Sequence, residues 1–201
     1  MERRKLGVTT MYMNEKMDAG DIILQKEVEI RDDETTGELW EKLAKMGASL
    51  LINTLEKIEN NTAPRIKQGE TYTLAPMLDK ELAKIKWEEM KAYEIKNLVR
   101  GLNPIMGAYT YLNNKKFKFW KVQNISREEF FTIYDEFREY DYKFNSIEPG
   151  TVLYSSEKQG LFIKAKDEVI SVLEIQGENS KKMNIQEFLR GNKIYAAEIF
   201  E

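Results

Sequence analysis

The chain of 201 residues carries 31 Lys or Arg and 34 Asp or Glu, and the resulting formal charge of -3 excludes a uniformly basic nucleic-acid-binding protein while leaving room for a local basic patch. Cysteine and histidine are both absent, which excludes disulfide bonds and thiolate chemistry and leaves only carboxylates as side-chain metal ligands, so a zinc enzyme is not expected. Because 42% of the residues are hydrophobic and no apolar run approaches the roughly 18 residues that span a bilayer, we expect a globular, cytoplasmic protein.

Two strands and a long helix are predicted in the first third of the chain. Residues 8–13 and 22–30 have the apolar and β-branched content of strands, and residues 14–21 between them are polar and contain glycine. From Thr35 the apolar period changes to three or four residues, and Thr35 with Glu38 has the spacing of a capping box. The pattern predicts a helix of about six turns that ends near residues 60–61.

The middle of the chain is predicted to be a linker, at residues 64–82. Proline and glycine interrupt this segment, and it has no hydrophobic period, so few core contacts are expected from it. Beyond it, residues 87–100 have apolar side chains at helical spacing and are followed by glycine and proline. This pattern predicts a short helix.

The second half of the chain is predicted to be mostly β-structure. Residues 108–112 and 116–122 alternate around the Asn113-Asn114 pair, which is the pattern of a hairpin. The five predicted strands together suggest a small barrel. The other elements predicted here are strands at residues 150–154, 160–164 and 169–175, an inserted helix at residues 126–142, and a short capped helix at residues 184–191.

Three separated motifs resemble, in the same order, motifs of the methionyl-tRNA formyltransferase family. They are GVTTMYMN at residues 7–14 with MDAGD at 17–21, RGLNP at 100–104 running into GAY at 107–109, and KKMNIQEFLRG at 181–191. The first motif is shared with sugar-nucleotide formyltransferases and formyltetrahydrofolate hydrolases, whereas the last points more particularly to the tRNA enzymes. The resemblance spans nearly the whole chain.

The resemblance implies an α+β chain in two parts. Residues 1–63 would be the last segment of a Rossmann-like formyltransferase catalytic domain, residues 64–82 a linker, and residues 83–201 a C-terminal, tRNA-binding barrel that resembles an OB fold. The family's N-terminal half, which supplies most of the sheet and the formyltetrahydrofolate pocket, is expected to be missing. The chain alone is therefore expected neither to bind formyltetrahydrofolate nor to catalyse.

The activity implied by the resemblance is transfer of a formyl group from formyltetrahydrofolate to the amino group of methionine on initiator tRNA, for translation initiation. Similar enzymes use an asparagine, a histidine and an aspartate together, and Asp18 falls on that aspartate, where a carboxylate could orient the imidazole. Ala19 stands where the family usually has threonine. A structural turn explains the same residues without catalysis, because Asp18 and Asp21 around Gly20 are the types that tight turns favour.

A basic segment suggests a nucleic-acid-binding surface. Lysines at 115, 116, 118 and 121 are interleaved with Phe117, Phe119 and Trp120, and strand alternation puts Lys116, Lys118 and Trp120 on one face and Phe117, Phe119 and Lys121 on the other. A barrel strand with its apolar side inward and its lysines in solvent explains the pattern equally well. The candidate tRNA-binding residues are Lys116, Lys118, Lys181, Lys182 and Arg190.

Three functional hypotheses follow. The first is a methionyl-tRNA formyltransferase whose partner is initiator tRNA, the second a tRNA-binding module without catalysis, and the third a fragment of a sugar-nucleotide formyltransferase. Retention of initiator tRNA would support the first two, and preference for an amino-sugar nucleotide the third. Removal of the N-terminal half is also expected to expose a strand edge and apolar surface in residues 1–63, so that this segment either associates with a second copy or is far less protected than the barrel.

Overall fold

The computed structural model describes residues 5–69, 71–75 and 77–201, apart from the side chains at positions 136, 139 and 140. The chain is mixed α and β and divides into two compact units between residues 77 and 78. Among the described residues, no helix combines the length and apolar character that crossing a membrane requires.

The first unit is a β-hairpin packed against one helix. Strand β1 (Lys5–Met11) pairs antiparallel with β2 (Ile22–Glu29), and helix α1 spans Thr36–Glu59. The predicted capping box is present, because the Thr35 side chain accepts from the Glu38 amide and the Glu38 carboxylate accepts from the Thr35 amide. Thr54, in the buried face of α1, contacts the hydroxyl of Thr10 on β1 at 2.9 Å. The hairpin and the buried face of α1 are thus in contact.

The segment that follows α1 is attached to the first unit at its beginning. Ile66 and Ile22 form an antiparallel bridge. The Ile22 amide donates to the Ile66 carbonyl at 2.8 Å, and the Ile66 amide donates to the Ile22 carbonyl at 3.0 Å. The linker at residues 64–82 stays a prediction, and the proline at position 76 lies outside the described residues. Residues 65–68 also contact the β1–β2 loop, through side chains that are themselves exposed.

The second unit contains one antiparallel sheet with the strand order β3-β4-β7-β6-β5, and β8 pairs with β7. Most of its core comes from side chains that point inward from these strands and from the helices that pack on them. Its elements are α2 (Ala92–Gly101), β3 (Ala108–Leu112), β4 (Lys115–Ile125), α3 (Arg127–Ile133), β5 (Val152–Ser156), β6 (Gly160–Lys164), β7 (Val169–Gln176), β8 (Met183–Asn184) and α4 (Ile185–Gly191), with 3-10 segments at Glu81–Ala83 and Asp135–Ser146.

Two predicted helices differ from those observed. Helix α2 begins at Ala92, because residues 87–89 form a turn that buries the Trp87 ring and lets its indole N–H donate to Thr110 at 2.9 Å. The inserted helix predicted at 126–142 is instead the short α3 followed by a 3-10 segment. Here the aromatic side chains supply a second, smaller core, and their packing sets the backbone more than helical spacing does.

The two edge strands of the sheet, β3 and β5, are not paired directly within the described residues, so a closed barrel of strands is not seen. The C-terminal residues lie between these edges instead. Glu201 exchanges two backbone hydrogen bonds with Tyr111 of β3, at 3.0 and 2.8 Å. The amide of Val152 in β5 donates to the carbonyl of Glu198 at 2.8 Å. The tail therefore satisfies backbone groups of both edges.

Candidate active-site loop and nucleic-acid interface

The loop between β1 and β2 carries the predicted catalytic aspartate. Its ends are joined by a hydrogen bond from the Tyr12 amide to the Asp21 carbonyl, at 2.9 Å. Inside the loop, the Asn14 side chain accepts from the Lys16 amide and donates to the Ala19 carbonyl, each at 3.0 Å. One asparagine thus fixes both halves of the loop, which favours the turn interpretation of these residues.

Gly20 allows the loop to close tightly. It is buried, and a Cβ atom at this position would lie 1.6 Å from the carbonyl oxygen of Tyr12, so no other residue fits without moving the backbone. Asp18, two residues earlier, adopts a φ of +54°, in the left-handed region that aspartate tolerates better than most residues. The loop geometry therefore explains both residue types without any catalytic requirement.

Two side chains from residues 65–68 hold the loop from outside. Gln68 Nε2 donates to the carbonyl oxygens of Asp18 and Gly20, both at 2.8 Å. The Arg65 guanidinium lies 3.4 Å from an Asp21 carboxylate oxygen and 3.8 Å from the centre of the Tyr12 ring. Sequence reasoning missed Gln68 and Arg65, because nothing in a polar segment next to a proline indicates a contact with a loop some 50 residues earlier.

The Asp18 side chain is exposed, and within residues 5–69, 71–75 and 77–201 its carboxylate has no hydrogen bond or ion pair. The carboxylate is therefore available to a group that comes from elsewhere. The described residues contain no cluster of three or more acidic side chains that could hold a metal ion. One exposed acid and a chain without histidine do not by themselves fit formyltetrahydrofolate chemistry.

A second group of candidate residues lies on one face of the sheet in the second unit. In the β3–β4 hairpin, Tyr109 is the cross-strand partner of Lys118, and Tyr111 is the partner of Lys116. Lys84 bridges to Tyr109 on the other side of β3. We call the following side chains the basic–aromatic row: Lys84, Tyr109, Tyr111, Lys116, Lys118, Trp120 and Lys182.

Lysine ammonium groups lie over the two tyrosine rings of the row. Lys116 Nζ is 3.6 Å from the centre of the Tyr109 ring and 6.0 Å from that of Tyr111. Lys84 Nζ is 5.8 Å from the centre of the Tyr111 ring. The two rings meet edge to face with their centres 5.8 Å apart. Both tyrosines therefore contact a cation through their rings, an arrangement stabilised by the quadrupole of the ring.

Trp120 has a comparable position at the other end of the row. The ammonium groups of Lys118 and Lys182 each lie 5.6 Å from its ring centre. Its indole N–H donates to the Gln176 side chain at 3.0 Å. The backbone of Gly107 lies against the ring, since a Cβ there would come within 3.0 Å of ring atoms. These contacts fix the position of the Trp120 ring, and the ammonium groups of two lysines lie near it.

Acidic side chains moderate the positive charge of the row. Glu174 forms an ion pair with Lys182. Burial raises the pKa of Tyr109 above its ordinary value, and the charges of Glu81, Tyr111 and Asp79 raise it further. The row is therefore a surface of mixed charge and not a uniformly basic one.

The structure brings together only part of the predicted tRNA-binding set. Lys116, Lys118 and Lys182 belong to the row, whereas Lys181 is exposed in the adjacent turn and Arg190 is exposed on α4, without a described contact to the row. Lys121 was predicted to share a face with the two phenylalanines of β4, and this is wrong. Register shifts on both sides of Lys121 turn it into solvent.

Sequence reasoning missed Tyr109, Tyr111 and Lys84 as members of the row. Alternation in residues 108–112, combined with the two-residue turn, would have placed both tyrosines opposite lysines. Lys84 has no such signal, because its bridge to Tyr109 joins segments that no local pattern connects.

Comparisons with known proteins connect both units to one family. The family described as formyl transferase matches residues 3–55, and its C-terminal domain matches residues 77–193. The methionyl-tRNA formyltransferase of Acetivibrio thermocellus is 38% identical over 194 residues, which are 96% of this chain and 57% of that protein. The enzyme of the same name from Halothermothrix orenii is 39% identical over 189 residues, 94% of this chain and 56% of that protein.

The chain thus spans a little over half the length of these curated relatives. Among solved structures, HypX from Aquifex aeolicus in complex with tetrahydrofolic acid aligns with a TM-score of 0.63 at 16% identity. The alignment covers 96% of this chain and 34% of HypX. At that identity the similarity supports the fold alone.

Proposed function

The chain belongs to the formyltransferase family, and from this premise we propose that it carries the second part of a methionyl-tRNA formyltransferase. The activity proposed for the whole protein is transfer of a formyl group from formyltetrahydrofolate to the amino group of methionine on initiator tRNA, in the cytoplasm. The observation that carries the proposal is the 38% identity with the Acetivibrio thermocellus enzyme, which extends over 96% of this chain and so includes both the Asp18 loop and the basic–aromatic row.

The proposed role of Asp18 is to orient a histidine that belongs to another part of the protein. A carboxylate bonded to an imidazole sets its tautomer and stabilises its protonated form, which a proton-transferring base needs when an amine attacks a formyl group. The exposed Asp18 carboxylate is available for this contact. The histidine and the folate pocket would both come from outside these 201 residues, which contain no histidine. Tetrahydrofolic acid bound to HypX is consistent with a folate co-substrate.

The proposed role of the second unit is to bind tRNA. We propose that residues 83–201 form an OB-like domain, joined by residues 64–82 to a remnant of the catalytic domain at residues 1–63. Support comes from the antiparallel sheet and from the C-terminal tail, which bonds to both edge strands. Lysines next to aromatic side chains are typical of surfaces that bind nucleic acid. Lys181 and Arg190 would then add contacts beside the row.

Two alternatives differ from this proposal in their ligand. A tRNA-binding module would retain initiator tRNA without any catalysis by the assembled protein. A sugar-nucleotide formyltransferase would prefer an amino-sugar nucleotide, and the methionyl-tRNA names of the 38% and 39% identical relatives count against it.

Binding experiments on this chain separate the two tRNA-binding functions from that of a sugar-nucleotide formyltransferase. We expect charged initiator tRNA to bind at low salt and to dissociate steeply as salt rises, because phosphate binding releases counterions. Lys116→Glu with Lys118→Glu should weaken binding, while the control pair Lys26→Glu with Lys158→Glu, two exposed lysines outside the row, should not. No binding at low salt, or retention of an amino-sugar nucleotide instead, would contradict the proposal.

We also propose that the first unit associates with a second copy of itself when nothing else covers α1. Trp40, Leu51 and Leu55 are 62%, 52% and 57% exposed, although helical spacing puts them on one side of α1. Among the described residues β1 pairs only with β2, so its other edge has no strand partner. An exposed apolar helix face and an open strand edge each favour association.

A further inference from the structure

We propose that the aromatic rings of the row position lysine ammonium groups for RNA phosphates and do not stack on bases, and that Lys84 is a further phosphate-binding residue. This inference rests on the proposed tRNA-binding function. It gives the lysines and the aromatic rings different roles. Otherwise, both would be interpreted as one platform on which unpaired nucleotides stack.

Other groups of the protein already lie against the ring faces, which argues against base stacking. A stacking platform needs a ring face open to solvent. Tyr109 is only 6% exposed and lies beneath the Lys116 ammonium. Gly107 packs against the Trp120 ring, and Lys118 and Lys182 lie over that ring as well. A base could reach these faces only after displacing the lysines.

The same contacts prepare the lysines for a phosphate. A lysine side chain loses much rotamer freedom when it binds a ligand, and this loss weakens binding. An ammonium that already rests on a ring has lost part of that freedom before the ligand arrives. A π-face accepts no conventional hydrogen bond, and among the described residues the ammonium groups of Lys84, Lys116 and Lys118 have no hydrogen bond or ion pair, whereas Lys182 pairs with Glu174. The first three lysines therefore remain donors to phosphate oxygens.

The order of the strands places these lysines along a line. Lys84, Tyr109, Lys118 and Gln176 are successive partners on neighbouring segments of the sheet. The pairing of β7 with β8 continues the line to Lys182. Five segments about 4.8 Å apart give a row roughly 19 Å long, with cations at both ends and in the middle. Such a row is suited to binding the phosphate backbone of RNA, whatever the base sequence.

Lys84 belongs to this line by geometry and not by sequence pattern. Its backbone bridges to Tyr109, and its ammonium lies 5.8 Å from the centre of the Tyr111 ring. Tyr111 therefore lies between Lys84 and Lys116, and removal of its ring would release Lys84, whereas Lys116 would keep its closer contact with the Tyr109 ring. Tyr111 is a positioning residue in this account, whereas Lys84 touches the phosphate.

The test compares variants of the whole chain with three probes: charged initiator tRNA, a fully paired RNA duplex and a single-stranded oligonucleotide. We expect Lys84→Gln to reduce the slope of log affinity against log salt by about one for every probe. The control Lys158→Gln removes the same charge from an exposed turn outside the row and should leave the slope unchanged.

The ring is tested by a matched pair at Tyr111. Tyr111→Leu should weaken binding about two- to fivefold for duplex and single strand alike, as loss of an exposed cation–π contact predicts. Tyr111→Phe keeps the ring and should bind like the parent chain. Circular dichroism of each variant verifies that it is folded. If Tyr111→Leu unfolds, Lys84→Gln still tests the inference, because it changes only a partly exposed charge.

The outcomes separate this inference from the proposed function. If the parent chain does not bind tRNA at low salt, both fail. If the parent binds and Lys84→Gln keeps its salt slope, only the role of Lys84 is overturned. If Tyr111→Leu weakens the single strand but not the duplex, the ring stacks on bases and the positioning role is overturned.

Discussion

The ammonium of Lys116 lies 3.6 Å from the centre of the Tyr109 ring, although the two residues are not direct cross-strand partners. Tyr109 is paired with Lys118, so the Lys116 side chain crosses the hairpin diagonally to reach it. The contact covers a tyrosine that would otherwise be an outward-facing aromatic side chain.

The first prediction concerns the alkaline stability of the second unit. The pKa of Tyr109 is raised by burial first, and then by Glu81, Tyr111 and Asp79. Above the ordinary tyrosine pKa of 10.0, the folded protein therefore holds a proton that the unfolded chain has lost, and the free energy of unfolding falls as pH rises through this window. Tyr109→Phe should make this decline shallower in urea titrations.

The control for Tyr109 is Tyr142→Phe, because Tyr142 is 75% exposed. Its substitution should leave the pH dependence as it is in the parent chain. Equal alkaline declines for the parent chain and Tyr109→Phe would contradict the burial argument.

The second prediction concerns the buried lysine of β6. Lys164 is 2% exposed, and its ammonium donates to the carbonyl oxygens of Ala165 and Lys166. Burial lowers its pKa below 10.5, which Asp167 opposes and Arg127 reinforces. Between the lowered pKa and 10.5 the unfolded chain binds more protons, so the free energy of unfolding rises with pH across that window.

Lys164→Met should remove this rise while keeping a similar side-chain length. The two carbonyl groups then lose their donor, which costs about 1–3 kcal/mol at lower pH. Lys158→Met, at an exposed turn, should follow the parent curve at every pH. Parallel curves for the parent chain and Lys164→Met would show that the lysine does not titrate abnormally.

The third prediction concerns the close approach in the Asp18 loop. Gly20→Ala should destabilise the first unit by more than about 2 kcal/mol, because the added Cβ would overlap the Tyr12 carbonyl oxygen and force the backbone apart. Gly69→Ala is the matched control, since a Cβ at Gly69 meets no atom within 4 Å. Hydrogen exchange at the Tyr12 amide measures the loop directly. Equal protection in the two variants would mean that the loop is not closed in this way.

The fourth prediction concerns association of the first unit. Light scattering of the parent chain at micromolar concentration should show a dimer. Leu51→Glu with Leu55→Glu, which changes the exposed face of α1 but not the buried Leu39, Leu50 and Thr54, should be monomeric and folded. A parent chain that stays monomeric would exclude self-association. If its residues 1–63 are also protected from hydrogen exchange as strongly as residues 108–175, the proposed domain boundary is wrong as well.

Local patterns were enough to predict the elements with short-range causes. The capping box and apolar period define α1, and the Asn113-Asn114 turn defines the hairpin, in which both asparagines have the positive φ that such a turn requires. Asp18 was found through a family motif. The conformation of its loop is also explained by an asparagine, a glycine and a tight turn, and the spacing of these residues alone would suggest such a turn.

The features that sequence did not predict depend on distant partners. Gln68 holds the loop by contacts with residues about 50 positions earlier, and the C-terminal tail pairs with Tyr111 across 90 positions. No periodic pattern records such contacts. The bulge at Lys121 also escaped prediction, because strict alternation assumes an uninterrupted ladder. The closed barrel was predicted from a strand count, whereas closure depends on which edges meet.

The most direct test of the proposed function is a formyl-transfer assay with formyltetrahydrofolate and charged initiator tRNA. One protein is this chain alone, and the other is the same chain fused behind the N-terminal part of the Acetivibrio thermocellus relative that precedes the matched region. We predict no detectable transfer by the chain alone, transfer by the fusion, and a loss of several orders of magnitude in the fusion with Asp18→Asn. Turnover by the chain alone comparable to an intact formyltransferase, or an Asp18→Asn fusion as active as its parent, would contradict the account.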